Sequence, residues 1–401
     1  MPLLPVKWNR RNLSYDKSVS LESNFARRTQ MRWLRLQDNY QSINISSLWI
    51  TPHNFTGKKL IYKCKTFCGG LGDRFRGIVT CFILALASDR QFMIDMTHPL
   101  DVKNYLLPKM YNWITNYKSL NSNDSRKTIH AIDSNPSLQN EIRNTNFIET
   151  WSKYDIIDIY TNIDYVSDIF QNSFVQKNKI MKMFLDNLPM EQLTLHNLFP
   201  LFFEILFQPS LEIVNALEPI LQIIENGYAL TCIHLRMGKN PSNPLDEVFQ
   251  NQASAVNDIL DYLNRTKLRR KRNTRIFVAS DSQQALSNMF AQFQNQTILV
   301  PGPILHVDRP SNTVNVAHGF LKIIVEFYLL GECDTSILTA SGFSALANRR
   351  RINPYHNVFK YDNLNRRIER CHDIYEYEKP PEPSSVALYC RIVFNCSSRK
   401  L

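Results

Sequence analysis

Two hydrophobic patterns alternate along most of the chain. Apolar runs of strand length are separated by longer runs in which apolar residues recur at helical spacing. The first series consists of "KLIYKCKTF", a glycine-rich turn, "FRGIVTCFILALASDR" and "QFMIDM". This order of strand, turn, helix and strand with short connections predicts an α/β fold built on a parallel sheet.

A second series begins near Phe207 with the helical pattern "PSLEIVNALEPILQIIENG". It continues through the predicted strands "YALTCIHLRM", "RIFVASD", "TILVPG" and "TSILTA", each followed by a predicted helix. Such a succession predicts a doubly wound sheet with helices on both faces. The chain has 401 residues, enough for two cores. We therefore expect two Rossmann-like domains that face a central cleft.

Changes in pattern divide the chain into three parts. Residues 1–57 are polar and basic without a sustained period, which predicts a tail or stem with one short helix around "ESNFARRTQMRWLRLQ". Residues 58–206 form the predicted N-terminal Rossmann-like domain. Residues 207–401 form the predicted C-terminal Rossmann-like domain, with an extension at its end.

The predicted strand ends carry the candidate chemistry, because ligands of open parallel sheets bind beyond the carboxyl ends of the strands. The first strand runs into "GGLGDRFRG" at residues 69–77. Glycines let backbone amides approach a ligand that a Cβ would block. The spacing matches neither a Walker A loop nor a dinucleotide fingerprint. A tight strand-to-helix turn capped by Asp73 explains the motif equally well.

A histidine and an arginine end the first strand of the C-terminal unit, in "IHLRMGK". His234 and Arg236 are two positions apart, so their side chains point to the same side of the strand. A guanidinium binds phosphate through bidentate, charge-assisted hydrogen bonds. Two other interpretations remain open: Arg236 pairs with a structural carboxylate, or His234 is a core histidine.

Two further strand ends have hydroxyl or carboxyl groups at the start of a helix. Asp281 in "VASDS" is suited to accept hydrogen bonds from a ribose or a base, although Asp281 or Ser282 also suits an N-cap. In "LTASGFSALA", the amides and hydroxyls of Ser341, Gly342 and Ser344 are suited to cradle a phosphate.

Taken in order, these motifs resemble the fucosyltransferase superfamily that joins α-1,2-, α-1,6- and protein O-fucosyltransferases. The likeness spans about residues 58–350 and rests on "GGLGDR", "ALASDRQFMIDM", "LFQPSLEIVNALEPI", "IHLRMG", "VASDS" and "GFLKIIVEFYLLGECDTSILTASGFSALA". It implies a GT-B architecture and inverting, metal-independent transfer of fucose from GDP-fucose to a glycan or protein hydroxyl. It also implies that the N-terminal domain is the acceptor side and the C-terminal domain binds the nucleotide sugar.

The resemblance implies a role for each motif residue. Arg236 would bind the β-phosphate of GDP, and Asp73 is a candidate general base. The other substrate-binding positions are Gly70, Leu71, Gly72, Arg74, His234, Asp281, Ser341, Gly342, Phe343 and Ser344. Asp73 stands where some O-fucosyltransferases have Asn, and Met237 stands where several branches have a second Arg.

Two alternatives compete with the transferase hypothesis. The departures at Asp73 and Met237 favour a catalytically inactive protein that binds a nucleotide sugar or a glycan. The net charge of +11 and the segment "RTKLRRKRNTR" (Arg265–Arg275) favour a basic polyanion-binding protein. No aromatic residues alternate with these charges, so a nucleic-acid partner is not expected.

Cysteines and glycosylation sequons bear on the compartment. The longest apolar run, "IVTCFILALA", is far shorter than the ~20 residues of a membrane span, and the first residues lack the apolar core of a signal peptide. Eight cysteines and seven N-x-S/T sequons are nevertheless typical of a secretory protein. We expect a Golgi or ER lumen location if the N-terminus is incomplete. Candidate disulfide partners are Cys64, Cys68 and, near the C-terminus, Cys371, Cys390 and Cys396, and the sequence does not define their connectivity.

Overall fold

The computed structural model describes residues 23–44, 57–115, 123–238, 254–266, 273–310, 315–363 and 365–371. Within these ranges the chain forms two mainly parallel sheets with packed helices. The predicted α/β fold with two Rossmann-like units is confirmed. The predictions for Cys390, Cys396 and most of the segment Arg265–Arg275 lie outside the described residues.

The N-terminal unit consists of a sheet, a helix that precedes it and helices packed around it. Its elements are α1 Asn24–Asn39, β1 Lys59–Cys64, α2 Leu71–Ala87, β2 Gln91–Met96, β3 Leu106–Pro108, β4 Arg126–Ala131, α3 Pro136–Asn144, α4 Phe147–Trp151, β5 Ile156–Thr161, α5 Val166–Gln171, α6 Lys179–Leu185 and α7 Leu195–Leu206. Strands β2, β1, β5 and β4 form the sheet in that order, and all pairs are parallel. The nearly continuous apolar sequence of α2 follows from its burial, since 15 of its residues are buried.

The C-terminal unit contains a larger sheet. Its elements are β6 Phe207–Pro209, α8 Leu211–Glu225, β7 Ala229–Leu235, α9 Ala255–Arg265, β8 Thr274–Ser280, α10 Gln283–Phe293, β9 Thr297–Ile298, α11 Val316–Leu330, β10 Thr335–Leu338, α12 Gly342–Arg349, β11 Val358–Asp362 and β12 Arg367–Arg370. The sheet order is β12-β11-β10-β7-β8-β9, and only β12 runs antiparallel to its neighbour. This order leaves β7 and β10 adjacent at the centre, where their carboxyl ends carry the candidate motifs.

The predicted boundary between residues 206 and 207 falls at a connection between the two units. Strand β6 follows α7 directly and pairs antiparallel with β3, with Leu106 opposite Pro209. The two units therefore share a small two-stranded ribbon at this point, and the boundary itself stays a prediction.

Helix α1 lies in the predicted tail but belongs to the folded core. Ser23 caps the helix by accepting a hydrogen bond from the Ala26 amide (3.1 Å). Phe25, Trp33 and Leu36 are buried on one face, which packs against α8. The helix predicted in this segment is therefore present, but it packs onto the core instead of forming part of a separate tail, because it carries a stripe of apolar residues on an otherwise basic surface.

A buried ion network connects α1 to both units. Glu204 on α7 pairs with Lys109 (2.6 Å), Arg32 (3.4 Å) and Arg350 (3.3 Å), and Arg32 also pairs with Glu332. Burial opposes ionisation of Glu204, but the three cations outweigh it and hold the pKa of this carboxyl well below its usual range. Glu204 is therefore ionised in the folded protein at neutral pH.

Two disulfides lie at functionally interesting positions. Cys64 is bonded to Cys68, both of which were candidate disulfide partners, and the bond closes the segment that leads into the glycine turn. The bond between Cys232 and Cys333 was not predicted, and it joins β7 to the residues just before β10. Cys371 is also disulfide-bonded.

No helix of the described ranges combines the length and apolarity needed to cross a membrane.

The ion network yields a stability prediction. Glu204→Ala should lower the free energy of unfolding by about 3–5 kcal/mol, because three buried cations lose their shared partner. Exposed Glu191→Ala should change it by less than ~0.5 kcal/mol. Urea titrations at several pH values measure both. The folded-state pKa of Glu204 is depressed, so its contribution should persist at neutral pH and shrink only below the ordinary range of a glutamate. Equal effects of the two variants would contradict a central role for the network.

Candidate active site

The glycine turn is a tight connection between β1 and α2. Gly69 has φ +85°, and a Cβ there would come within 2.8 Å of the Asp73 Cβ. Gly70 is the N-cap of α2, and its amide donates a hydrogen bond to Asp73 Oδ2 (3.1 Å). Leu71 begins the helix and is buried. The capping role that the sequence allowed for Asp73 is therefore present.

Asp73 lies at the surface of the site and is partly shielded from water. Its side chain is 35% exposed, and one oxygen lies 3.3 Å from Arg76. Burial raises the pKa of Asp73, against the opposing effects of Arg76 and the Gly70 amide. A carboxylate in this state is both accessible and a stronger base than an ordinary aspartate.

Gly72 brings the glycine turn into contact with the last motif. A Cβ at this position would lie 2.6 Å from the Phe343 amide nitrogen and 2.8 Å from the Gly342 carbonyl carbon. The N-terminus of α2 therefore meets the N-terminus of α12, which comes from the other unit. The structure brings together the two glycine-containing motifs that lie some 270 residues apart in the sequence.

Arg74 was predicted as a substrate-binding position, but its side chain does not face the cleft. Its side chain is fully buried beneath the turn. It donates hydrogen bonds to the carbonyls of Gly69 (2.9 Å) and His98 and forms an ion pair with Asp308 (3.0 Å). The physical reason is that α2 is buried on nearly all sides, so the position of Arg74, one turn after Leu71 and one turn before Ile78, is buried as well.

Arg236 and Asp281 form an ion pair at the adjacent ends of β7 and β8. The two side chains are 23% and 21% exposed. Asp281 also accepts hydrogen bonds from the amides of Met237 (2.7 Å) and Gly238 (3.0 Å). The pairing of Arg236 with a carboxylate, one of the alternatives left open, is therefore present. Asp281 is not the cap of α10, since Ser282 performs that role.

His234 is a buried, neutral histidine beside the site. Burial and the nearby Arg236 lower the pKa of His234 to about 3. Its ring lies 5.5 Å from the ring of Phe343, between centroids, and its Nδ1 has no hydrogen-bond partner among the described residues. His234 therefore contributes no positive charge at neutral pH.

The N-terminus of α12 offers amides rather than hydroxyls. Ser341 is the N-cap, and its side chain makes no capping hydrogen bond within the helix. The Ser344 hydroxyl is fully buried and donates to the Ser341 carbonyl (3.3 Å). The predicted hydroxyl cradle is therefore wrong for Ser344, because its hydroxyl already has a partner inside the turn.

Asp308 is a site residue that sequence reasoning missed. Its carboxylate, from the loop after β9, accepts hydrogen bonds from the amides of Cys68 (2.8 Å) and Gly69 (2.9 Å). The available signal was an aspartate in an irregular, proline-bounded segment, "VPGPILHVDRP", which follows a strand end.

Among the described residues, no group of three or more His, Cys, Asp or Glu side chains could hold a metal ion.

Comparisons with known proteins identify the fold. No family model and no curated protein matches the sequence. The solved structure of a mutant of Arabidopsis thaliana FUT1 in complex with GDP matches 88% of this chain and 81% of its own, at TM-score 0.50 and 13% identity. NodZ α-1,6-fucosyltransferase co-crystallised with GDP matches 78% of this chain and 97% of its own, at TM-score 0.44 and 12% identity.

The chain has the fold of a fucosyltransferase. The resemblance inferred from the motifs is thereby confirmed for the GT-B architecture. At this identity the likeness to FUT1 concerns the fold alone, so the roles of individual residues stay predictions.

The contact at Gly72 yields a prediction. Gly72→Ala should lower the free energy of unfolding by about 1–3 kcal/mol, because the new methyl group must displace the backbone of the other unit. Gly70→Ala is the matched control, since its Cβ would meet only Asp73 Oδ2 at 3.5 Å, an ordinary contact. Denaturant titration of both variants measures the difference. If Gly72→Ala proved as stable as Gly70→Ala, the two helix ends could not be packed this closely.

Proposed function

We propose that the protein is an inverting glycosyltransferase that transfers fucose from GDP-fucose to a hydroxyl of a glycan or protein acceptor without a metal ion. The observation that carries this proposal is the convergence of three features in a fucosyltransferase fold. The glycine turn of one unit contacts the N-terminus of α12 in the other unit. Arg236 comes directly after strand β7, which pairs with β10, the strand before α12. FUT1, which has this fold, was solved with GDP.

The leaving group requires positive charge. When the bond between the sugar and the phosphate breaks, its electron pair stays on GDP and negative charge develops there. Preorganised donors stabilise such charge most effectively in a site shielded from water. Arg236 supplies a permanent cation, and Asp281 holds its guanidinium at the end of the strand. The N-terminus of α12 supplies backbone amides and the positive end of a helix dipole.

The acceptor requires a base. Its hydroxyl oxygen forms the new bond to the anomeric carbon while the bond to GDP breaks on the opposite face, which inverts the configuration. The hydroxyl proton passes to a carboxylate, and we assign this role to Asp73. Its partial exposure and its raised pKa favour this assignment.

The acceptor side and the compartment follow from the same proposal. Asp73 belongs to the N-terminal unit, so the acceptor would approach from that unit. Disulfides at Cys64–Cys68 and Cys232–Cys333 favour an oxidising compartment such as the Golgi or ER lumen.

One observation favours a second candidate, a nucleotide-sugar-binding protein without turnover. Arg236 is already paired with Asp281, and Met237 stands where several fucosyltransferase branches have a second Arg. Such a protein would bind GDP-fucose without consuming it.

Calorimetric titration in excess EDTA tests the donor. We expect GDP-fucose to bind more tightly than GDP-mannose or UDP-sugars, and Arg236→Lys to weaken binding about tenfold or more because Lys loses the planar fork. The melting temperature should change little, since the Arg236–Asp281 pair is partly exposed. Turnover of bound GDP-fucose separates the transferase from the inactive binder. Absence of binding to every nucleotide sugar would contradict both candidates.

The pH dependence of turnover tests the base. Asp73 must be ionised to accept a proton, and its pKa is raised, so kcat should fall on acidification at a pH above the ordinary range of an aspartate. Asp73→Asn should lower kcat by about 10²–10⁴-fold and remove this acidic limb. Exposed Asp186→Asn is the control and should retain the wild-type profile. An unchanged acidic limb in Asp73→Asn would assign the base elsewhere.

A further inference from the structure

We propose that Asp308 is a positioning residue of this site: from the C-terminal unit, it fixes the glycine turn of the N-terminal unit and thereby aims Asp73. The inference rests on the proposed function for its catalytic consequence. Its structural part, a carboxylate that holds the turn from the opposite unit, rests on contacts of the described residues alone.

The carboxylate of Asp308 accepts three hydrogen bonds from the turn and the helix behind it. Oδ1 accepts from the Cys68 amide (2.8 Å) and from Arg74 Nη2 (3.0 Å), and Oδ2 accepts from the Gly69 amide (2.9 Å). The side chain is only 3% exposed. Water therefore has little access to replace these contacts, and a buried amide left without a partner is costly.

Further contacts join the turn and the residues around it to the loop that carries Asp308. Arg74 donates to the carbonyls of Val307 (3.4 Å) and Gly69 (2.9 Å), and His98 Nε2 lies 3.1 Å from the Asp308 carbonyl oxygen. Arg74 thus bonds the turn and the loop together from below. This explains why the arginine of "GGLGDR" is buried instead of facing the cleft.

A short chain of contacts leads from Asp308 to Asp73. Asp308 holds the Gly69 amide, Gly69 adopts φ +85°, and the next amide, of Gly70, donates to Asp73 Oδ2 at 3.1 Å. The Cβ of Asp73 also packs against the position where Gly69 has no side chain. A displacement of the turn would therefore move the Asp73 carboxylate.

The charge of Asp308 also acts on Asp73. Burial has the largest effect on the pKa of Asp73 and raises it, while Arg76 and the Gly70 amide lower it. The negative charges of Asp308 and Asp133 have smaller effects, and both raise this pKa. Removal of the Asp308 charge should therefore lower the pKa of Asp73. A purely structural contact would not produce this change.

Asp308→Asn, made in the whole 401-residue chain, tests the inference. The variant keeps the size of the side chain, but it loses the charge and places an amide group against backbone donors. Because misplacement by about 1 Å can cost ~10²-fold in rate, we expect kcat with GDP-fucose to fall by about 10–100-fold while KM changes little. The acidic limb of the pH profile should move to lower pH, and the amides of residues 68–70 should exchange hydrogen faster.

Two further variants keep the test decisive. Asp334→Asn is the control for loss of an aspartate that accepts a backbone hydrogen bond: Asp334 is exposed, accepts from the Leu230 amide (2.7 Å) and lies away from the turn. It should leave kcat and the acidic limb unchanged. If Asp308→Asn does not fold, Asp308→Glu retains the charge and displaces the carboxylate. We then expect a reduced kcat with the acidic limb close to that of the wild type.

The outcomes separate this inference from the function on which it rests. A wild-type protein that turns over GDP-fucose, with Asp308→Asn matching it in kcat and acidic limb, would overturn the inference and leave the proposed function intact. Equal changes in Asp334→Asn would also overturn it, since they would not be specific to the turn. A wild-type protein that neither binds nor consumes GDP-fucose would overturn both.

Discussion

The site depends on a close backbone contact between the two units that leaves no room for a side chain at Gly72. At Gly72 the first turn of α2 meets the backbone of Gly342 and Phe343 at the first turn of α12. Two helix N-termini, each with a partial positive charge, are thereby brought together from opposite units. Arg236 adds a full positive charge nearby, while Asp73 and Asp281 supply the nearest negative charges of the motifs. Such a concentration of donors favours an anionic ligand, and a diphosphate leaving group has this chemistry.

The surrounding structure holds this contact from two sides. On one side Asp308 binds the glycine turn to the C-terminal unit through a buried carboxylate. On the other, Glu204 and Glu332 join α1 to both units through buried ion pairs. A buried ion pair adds little net stability over apolar packing, but the loss of one partner is strongly destabilising, so both partners must be in place. These ion pairs are suited to keep two Rossmann-like units in a defined relation around a cleft.

The patterns that repeat along the chain were the ones that sequence analysis predicted well. Strands such as β1 and β7 are mostly apolar, so their type and order could be inferred, and the order of motifs led to the correct fold. Contacts between distant segments could not be inferred in this way. The side chain of Arg74 was misplaced because a charged residue suggests exposure, although its helix is buried nearly all round. Asp308 and the Cys232–Cys333 bond were missed because no local pattern marks their partners. Helix α1 was underestimated because its apolar stripe is short.

A crystal structure of the complex with GDP would be the most direct test of this site. We expect the diphosphate to lie against the amides at the N-terminus of α12, with the Arg236 guanidinium in hydrogen-bond contact with the β-phosphate. Gly72 should remain packed against Phe343, and Asp308 should still hold the glycine turn. GDP bound away from the carboxyl ends of β7 and β10, with Arg236 making no phosphate contact, would contradict the account.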